Sequence, residues 1–180
     1  MTVEVIPLRK LIRGLIRRLE EVRGKTFDFQ NFDDRLIVQK IAYLLSKAGI
    51  IRGLNFNYYL RGPYSRELLT LLKNTRAYTD LDENQFTEMR ETEIKLDPQK
   101  EAAFQKVLTL LRENNWDARW LELFTSGLFF AELEPDPDNP NWRRVTHILA
   151  FKKKISEDEA ERIVNQIKKY LKEGLFQLSY

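Results

Sequence analysis

The 180-residue sequence contains no cysteine and a single histidine. Without thiols the chain can form neither a disulfide framework nor a thiolate zinc site, and nucleophilic thiol chemistry is excluded. One imidazole, at His147, leaves little scope for histidine catalysis. No glycine-rich phosphate cradle, serine nucleophile motif or paired set of metal ligands stands out either. The sequence therefore predicts a protein that is not an enzyme, with no cofactor and no metal site.

Long hydrophobic runs and a strong charge imbalance are also missing. The longest apolar runs are only a few residues long, whereas a membrane-spanning helix needs about 20 apolar residues. The N-terminus shows no signal-peptide pattern, so we expect a cytoplasmic protein that makes no use of a membrane. The net charge of +3 is small beside 30 basic and 27 acidic side chains. Any affinity for nucleic acid must therefore come from local clusters.

The hydrophobic residues, which make up 43% of the chain, recur mainly at helical spacing. Residues 8–22 predict an amphipathic basic helix, and residues 35–45 predict a second helix, capped by Asn31 or Asp33. Residues 116–133 are apolar almost all round and predict a central buried helix. Further helices are predicted at residues 66–73, from Asp97-Pro98 onward, at 142–151 and at 156–174, with a proline-rich surface loop at 134–140.

Between the second and third helices lies a short aromatic segment, residues 56–60, which predicts a strand. A Gly-Pro turn follows at positions 62 and 63, and Ser65 is placed to cap the next helix. Residues 77–79 and 92–96 predict a β-hairpin after that helix, and a hairpin after two helices is how a winged helix is built. The predicted fold is mostly α, a helical domain containing a winged-helix-like helix-turn-helix with a small β-hairpin.

Three segments describe the predicted organisation of the chain. Residues 1–26 form an amphipathic basic helix, residues 27–96 a winged-helix-like region, and residues 97–180 a helical region packed on it in one compact domain. The apolar residues of the first segment offer a homodimer seam as an alternative, although packing within one chain is favoured. The residues of that seam are Leu8, Leu15 and Val22.

Two motifs carry a resemblance to a known family. Leu-Ile-Val-Gln-Lys-Ile-Ala-Tyr-Leu-Leu at 36–45 and Gly-Pro-Tyr-Ser-Arg-Glu-Leu at 62–68, with aromatic residues between them, resemble the prokaryotic Panacea domain. That family includes the proteolysis-promoting antitoxin-like proteins. The resemblance is best over residues 33–76. It implies a helical, non-enzymatic domain that binds and regulates a partner protein, often a toxin encoded nearby.

The chain departs from that family at one position of the motif. The aromatic position before the Gly-Pro pair is often Trp in the family, whereas here the pair is preceded by Tyr-Tyr-Leu-Arg at residues 58–61. The side chains predicted to contact a partner protein are Arg61, Tyr64 and Arg66, because tyrosine and arginine are typical interface anchors. A rigid connection that packs Tyr58 or Tyr64 into the core is the equally weighted alternative.

A DNA-binding transcriptional regulator of the winged-helix type is the alternative function. A recognition helix beginning at residue 65 would present basic and polar side chains to a groove, and the first helix carries an arginine every fourth residue. Leucines fill about half of the recognition helix, however, and Glu67 would repel phosphate. The residues concerned are Arg9, Arg13, Arg17, Arg66, Thr70, Lys73 and Arg76.

Two further patterns have simpler interpretations. Arg143 and His147 are compatible with phosphate cleavage, but their spacing and the lack of a second histidine favour a structural or surface histidine. Asp136 and Asp138 offer carboxylates to a cation, yet the loop lacks the glycine turn and distal glutamate of a calcium site. A solvated loop is the expected structure.

Overall fold

A computed structural model of the chain describes residues 6–77 and 93–178. Within these residues the fold contains seven α-helices and one antiparallel pair of short strands, which confirms the mostly α prediction. No helix in this described part is long and apolar enough to cross a membrane. In chain order the elements are α1 (Leu8–Arg23), α2 (Phe32–Lys47), β1 (Asn57–Tyr59), β2 (Gly62–Tyr64), α3 (Arg66–Ala77), α4 (Pro98–Glu113), α5 (Ala118–Glu132), α6 (Trp142–Lys153) and α7 (Glu157–Lys172).

Polar side chains cap the helices where the sequence predicted helix starts. Asn31 accepts hydrogen bonds from two amides in the first turn of α2. Asp97 caps α4, with Pro98 in the first turn, and Ser156 caps α7. Each cap satisfies an amide that has no partner within its helix and contributes about 1 kcal/mol to helix stability.

Helix α5 is the centre of the core, as its all-round apolar sequence predicted. Its residues 121–131 are all buried, and the helix packs against α2, α6, α7 and the β1–β2 hairpin. Gly127 allows the close approach of α7, since a Cβ atom there would lie 2.7 Å from Ile167 Cδ1. Because α5 contacts both the hairpin and the C-terminal helices, it holds the two halves of the chain together.

Helix α1 packs its apolar side into the same core through α4. Arg18 donates two hydrogen bonds of 2.6 Å to the Glu101 carboxylate, and its guanidinium lies 4.6 Å from the centre of the Phe104 ring. Leu15 is buried within the chain, Leu8 is half-buried and Val22 is 39% exposed. The three residues of the predicted homodimer seam thus differ in exposure within this chain.

The junction at residues 56–66 differs from its predicted shape. Gly62–Tyr64 is a strand rather than a turn, and it pairs with β1 so that Tyr58 lies opposite Pro63. The reversal occurs at Leu60 and Arg61, neither of which has a positive φ, so the primed turns common in two-residue hairpins are excluded. Gly62 follows with φ +97°. Glycine adopts this backbone conformation without the steric cost that a Cβ atom brings.

Replacing Gly62 with Ala is expected to lower the free energy of unfolding by about 2 kcal/mol. The added Cβ atom is disfavoured at this φ, and it would lie 2.7 Å from the Ser126 hydroxyl on α5. Urea denaturation measures the loss. Gly24→Ala is the matched control, because Gly24 has φ +75° and no neighbouring atom within 4 Å of the added Cβ. Equal losses in both variants would show that the contact with α5 contributes nothing.

The winged-helix arrangement predicted for residues 27–96 is not seen in the described residues. Of the predicted hairpin, Ala77 is the last residue of α3, and residues 93–96 form no strand. Tyr78, Thr79 and Thr92 lie outside the described residues. The alternating apolar pattern of the 93–96 segment has another cause, since Ile94 packs against Gly14 of α1 and Leu96 is buried. The hairpin that does form precedes α3.

Candidate functional site

Two consecutive residues of α2 fix the end of the hairpin. The Gln39 amide donates to the Ser65 carbonyl oxygen and accepts from the Ser65 amide, both at 2.9 Å. The Lys40 ammonium donates to the Pro63 carbonyl oxygen at 2.6 Å. Ser65 in turn accepts from the Leu68 amide through its hydroxyl, which confirms the predicted helix cap. The start of α3 is therefore held in one orientation relative to α2.

Helices α5 and α6 hold the other side of the hairpin. Lys153, at the end of α6, donates to the Leu60 carbonyl oxygen at 3.3 Å and lies 3.7 Å from the Glu122 carboxylate. The Tyr58 ring packs on two phenylalanines of α5, with ring centres 6.1 Å from Phe129 and 5.0 Å from Phe130. The backbone of the bend is thus anchored to α2 and α6, and the Tyr58 side chain anchors it to α5.

Two buried cations share one buried carboxylate beneath the hairpin. Lys40 is 2% exposed, and Lys153 and Glu122 are each 6% exposed. Burial, followed by the Lys153 ammonium, lowers the pKa of Lys40 to about 7, while the Glu122 carboxylate acts in the opposite direction. Burial lowers the pKa of Lys153 as well. Glu122 also pairs with the Arg119 guanidinium. The carboxylate is therefore the main compensation for the buried positive charge.

The groove between α2 and α3 lies on the solvent side of this anchored framework. Its volume is about 250 Å³, and one wall carries Tyr64 of β2. Phe32, at the start of α2, is 53% exposed although it is fully apolar. The residues lining the groove are Phe32, Arg35, Leu36, Gln39, Tyr64, Leu69 and Leu72. Exposed apolar surface of this kind marks interaction sites in soluble proteins.

Aromatic contacts extend the groove toward the hairpin. The rings of Tyr59 and Tyr64 meet edge to face with centres 5.2 Å apart. Arg66 donates from Nε to the Tyr59 hydroxyl at 3.1 Å. At the hairpin tip, Leu60 is 95% exposed and Arg61 is exposed beside it. The groove, Tyr59 and the tip form what we call the docking face.

Two guanidinium groups flank the Tyr64 side chain. Burial raises the pKa of the Tyr64 hydroxyl, and the charges of Arg35 and Arg66 oppose this rise. Arg35 is held in place because it donates to the carbonyl oxygens of Phe29 and Gln30, at 3.0 and 3.2 Å. The groove therefore combines an apolar floor with a fixed positive charge at its edge.

The three side chains predicted to bind a partner are exposed or half-buried around this face. Tyr64 is half-buried in the groove wall, Arg66 is exposed next to it, and Arg61 lies at the tip. Sequence reasoning did not identify Phe32 and Leu36, which lie one turn apart on a second side of α2. Their spacing of four residues, on a side of α2 outside its main apolar stripe, was the sequence signal that could have identified this second apolar surface.

The residues predicted to contact DNA lie on two helices. Arg9 is exposed on α1, Arg13 is half-buried, and Arg17 forms ion pairs with Glu21 at 3.3 Å and Glu93 at 3.5 Å. On α3, the hydroxyl of Thr70 donates to the carbonyl oxygen of Arg66. The side chains of Lys73 and Arg76 lie outside the described part of the structure.

His147 and the aspartate loop are on the surface of the C-terminal half. His147 Nδ1 lies 2.8 Å from the Glu157 carboxylate, and the imidazole is mostly exposed. Arg144 forms two hydrogen bonds to Glu134, at 2.9 and 3.0 Å. The Asp136 carboxylate accepts from a backbone amide of its own loop. In residues 6–77 and 93–178 no group of three acidic or histidine side chains is arranged to hold a metal.

Comparison with known proteins gave no match to a domain family, a curated protein or a solved structure. The resemblance to the Panacea domain therefore rests on the two motifs alone. Both motifs lie in the framework just described: the first supplies Gln39 and Lys40 of α2, and the second supplies β2 and the start of α3.

Proposed function

We propose that this chain is a non-enzymatic protein-interaction domain, similar to Panacea-type antitoxins, which binds and regulates a partner protein through the docking face. The observation that carries the proposal is the exposed apolar groove beside Tyr64, built on a hairpin that buried hydrogen bonds hold in place. A toxin encoded next to this chain is the partner that the resemblance suggests.

The rigid support of the docking face favours binding. Loops that bind a partner lose conformational entropy on association, and a preorganised surface avoids much of that cost. Here the hairpin backbone is already fixed by Gln39, Lys40 and Lys153. Tyrosine, phenylalanine and arginine, the residue types that surround the groove, are those enriched at the energetic centres of protein interfaces.

Replacing both Tyr64 and Arg66 with Ala is expected to reduce recovery of the partner by about tenfold or more, because two interface anchors are removed. The measurement is affinity purification from the native host, with the tagged wild type and the variant at equal expression. The two side chains are partly or fully exposed. The variant is therefore expected to unfold at close to the wild-type temperature, which calorimetry checks.

The matched control replaces an aromatic residue and an arginine outside the face. Phe151 on α6 and Arg162 on α7 are both exposed. The Phe151→Ala, Arg162→Ala variant should recover the partner as the wild type does. Equal recovery by the Tyr64→Ala, Arg66→Ala variant would remove the docking face from the interface.

The winged-helix DNA-binding regulator is the alternative function, and salt dependence separates it from the proposal. DNA binding releases counterions and weakens steeply as salt rises, whereas an apolar protein interface responds weakly. Arg17 is already paired with two carboxylates, which reduces what the arginine row of α1 offers to phosphates. Two results together would support the alternative. Binding to duplex DNA should fall steeply between low and physiological salt, and the Arg9→Ala, Arg13→Ala variant should no longer bind DNA at low salt.

A further inference from the structure

We infer that the groove binds a short segment of the partner in which apolar residues are followed or preceded by an aspartate or glutamate. This inference rests on the proposed function and adds the chemistry of the bound segment. Apolar side chains fill the floor, and the carboxylate pairs with the guanidinium groups of Arg35 and Arg66 beside Tyr64.

The apolar half of the inference comes from the groove lining. Leu36 and Leu69 are half-buried on opposite walls, and Leu72 is buried at the base. Covering apolar surface of this kind yields roughly 25 cal/mol for each Å² removed from water. The exposed ring of Phe32 adds a further surface at one end of the groove.

The acidic half of the inference comes from the charge around Tyr64. Among the described residues that line the groove, Arg35 is charged and none is acidic. Glu67, next to Arg66 in the chain, is not among the residues lining the groove, and its carboxylate is held by hydrogen bonds from Asn55 at 3.1 Å and from the Ser65 hydroxyl at 3.0 Å. Arginine forms directed, paired hydrogen bonds with a carboxylate, so an incoming acidic residue complements this edge.

Asp34, next to Arg35, is also engaged. Its carboxylate accepts from the Arg23 guanidinium at 3.4 Å and from the Asp28 amide at 2.7 Å. The positive potential at the groove edge is therefore not cancelled by this side chain. A row of phosphates is a poorer match than a peptide, because affinity for the DNA backbone comes from many basic contacts whereas the groove walls are mostly apolar.

A randomised peptide library displayed on phage and selected on the folded 180-residue chain tests this inference. The enriched peptides should share apolar residues close to an aspartate or glutamate. Binding of a synthetic enriched peptide, measured by fluorescence anisotropy, should weaken by about tenfold or more in Arg66→Glu. Changing the peptide's acidic residue to lysine should restore binding to that variant, which a general structural effect of the substitution cannot do.

Control variants separate the inference from the proposed function. Arg162→Glu on α7 has the same charge change outside the groove and should bind the peptide normally. Leu36→Asp should abolish binding if the groove is the site. One outcome would overturn the inference and leave the proposed function intact. In that outcome the enriched peptides lack a carboxylate, lose binding to Leu36→Asp and bind Arg66→Glu as tightly as the wild type. Enriched peptides that bind Leu36→Asp as tightly as the wild type, or a selection that enriches no peptide on the folded protein, would also overturn it.

Discussion

Replacing Glu122 with Gln is expected to lower the free energy of unfolding by about 3–5 kcal/mol, the range found when one partner of a buried ion pair is removed. Glu122 is 6% exposed and lies 3.7 Å from the Lys153 ammonium, and its charge also opposes the lowering of the Lys40 pKa. Without it, Lys40 and Lys153 must either remain charged in the interior or release their protons. Chemical denaturation at neutral pH measures the effect.

A double variant shows whether the loss comes from uncompensated charge. Adding Lys153→Met to Glu122→Gln removes one of the two cations, and we expect it to recover part of the lost stability. Glu161→Gln, at an exposed position on α7, is the matched control and should change stability by less than about 0.5 kcal/mol. If Glu122→Gln behaved like Glu161→Gln, the buried lysines would not depend on this carboxylate.

The wild-type protein is expected to become more stable as the pH rises from neutral to about 9. Lys40 has a pKa of about 7 in the folded protein, far below its ordinary value of 10.5. Between these values the unfolded chain holds more protons than the folded one, so stability increases with pH. The gain by about pH 9 is on the order of 2 kcal/mol. Urea denaturation across this pH range measures it.

The Lys40→Met variant tests the origin of this pH dependence. Methionine keeps the apolar stem and removes the titrating amine, so the slope of stability against pH should become shallower. It should not vanish, because burial lowers the pKa of Lys153 in the same direction. Above about pH 10 the unfolded tyrosines ionise, and burial of Tyr58 and Tyr64 then reverses the trend. An unchanged slope in Lys40→Met would contradict the assigned cause.

The helices of this chain could be predicted because each carries its own local signals. The cap and first-turn proline at Asp97-Pro98, the cap at Ser156 and the apolar period of α7 depend on neighbours along the sequence. The strands were harder to predict. Gly-Pro usually marks a turn, but Pro63 lies in a two-stranded sheet, where a residue without an amide hydrogen is tolerated at an edge.

The docking face could be predicted only in part. Tyr64 and Arg66 stand beside recognisable turn residues, which drew attention to them. Phe32 reaches the same groove from the start of α2, and the buried group of Lys40, Lys153 and Glu122 joins three helices distant in sequence. Lysines within a helical pattern are normally assigned to solvent, since lysine is almost never fully buried without a partner. Only the tertiary contacts reveal that these two are interior.

The buried charges and the docking face form one physical account. Lys40 and Lys153 hold the hairpin carbonyl oxygens, Glu122 compensates their charge, and the fixed hairpin places Tyr59 and Tyr64 at the groove. A site whose supporting residues are locked in this way keeps its geometry before the partner arrives. Loss of the buried group should therefore weaken binding even though none of its members is exposed.

Photo-crosslinking in the native host tests the docking face most directly. A benzoylphenylalanine in place of Tyr64 should form a covalent adduct with one partner protein, and the adduct should disappear when Leu36→Asp is added. The same probe in place of the exposed Phe151 should give no such adduct. Adducts with the same protein from both positions, or none from the Tyr64 position, would contradict binding through the groove between α2 and α3.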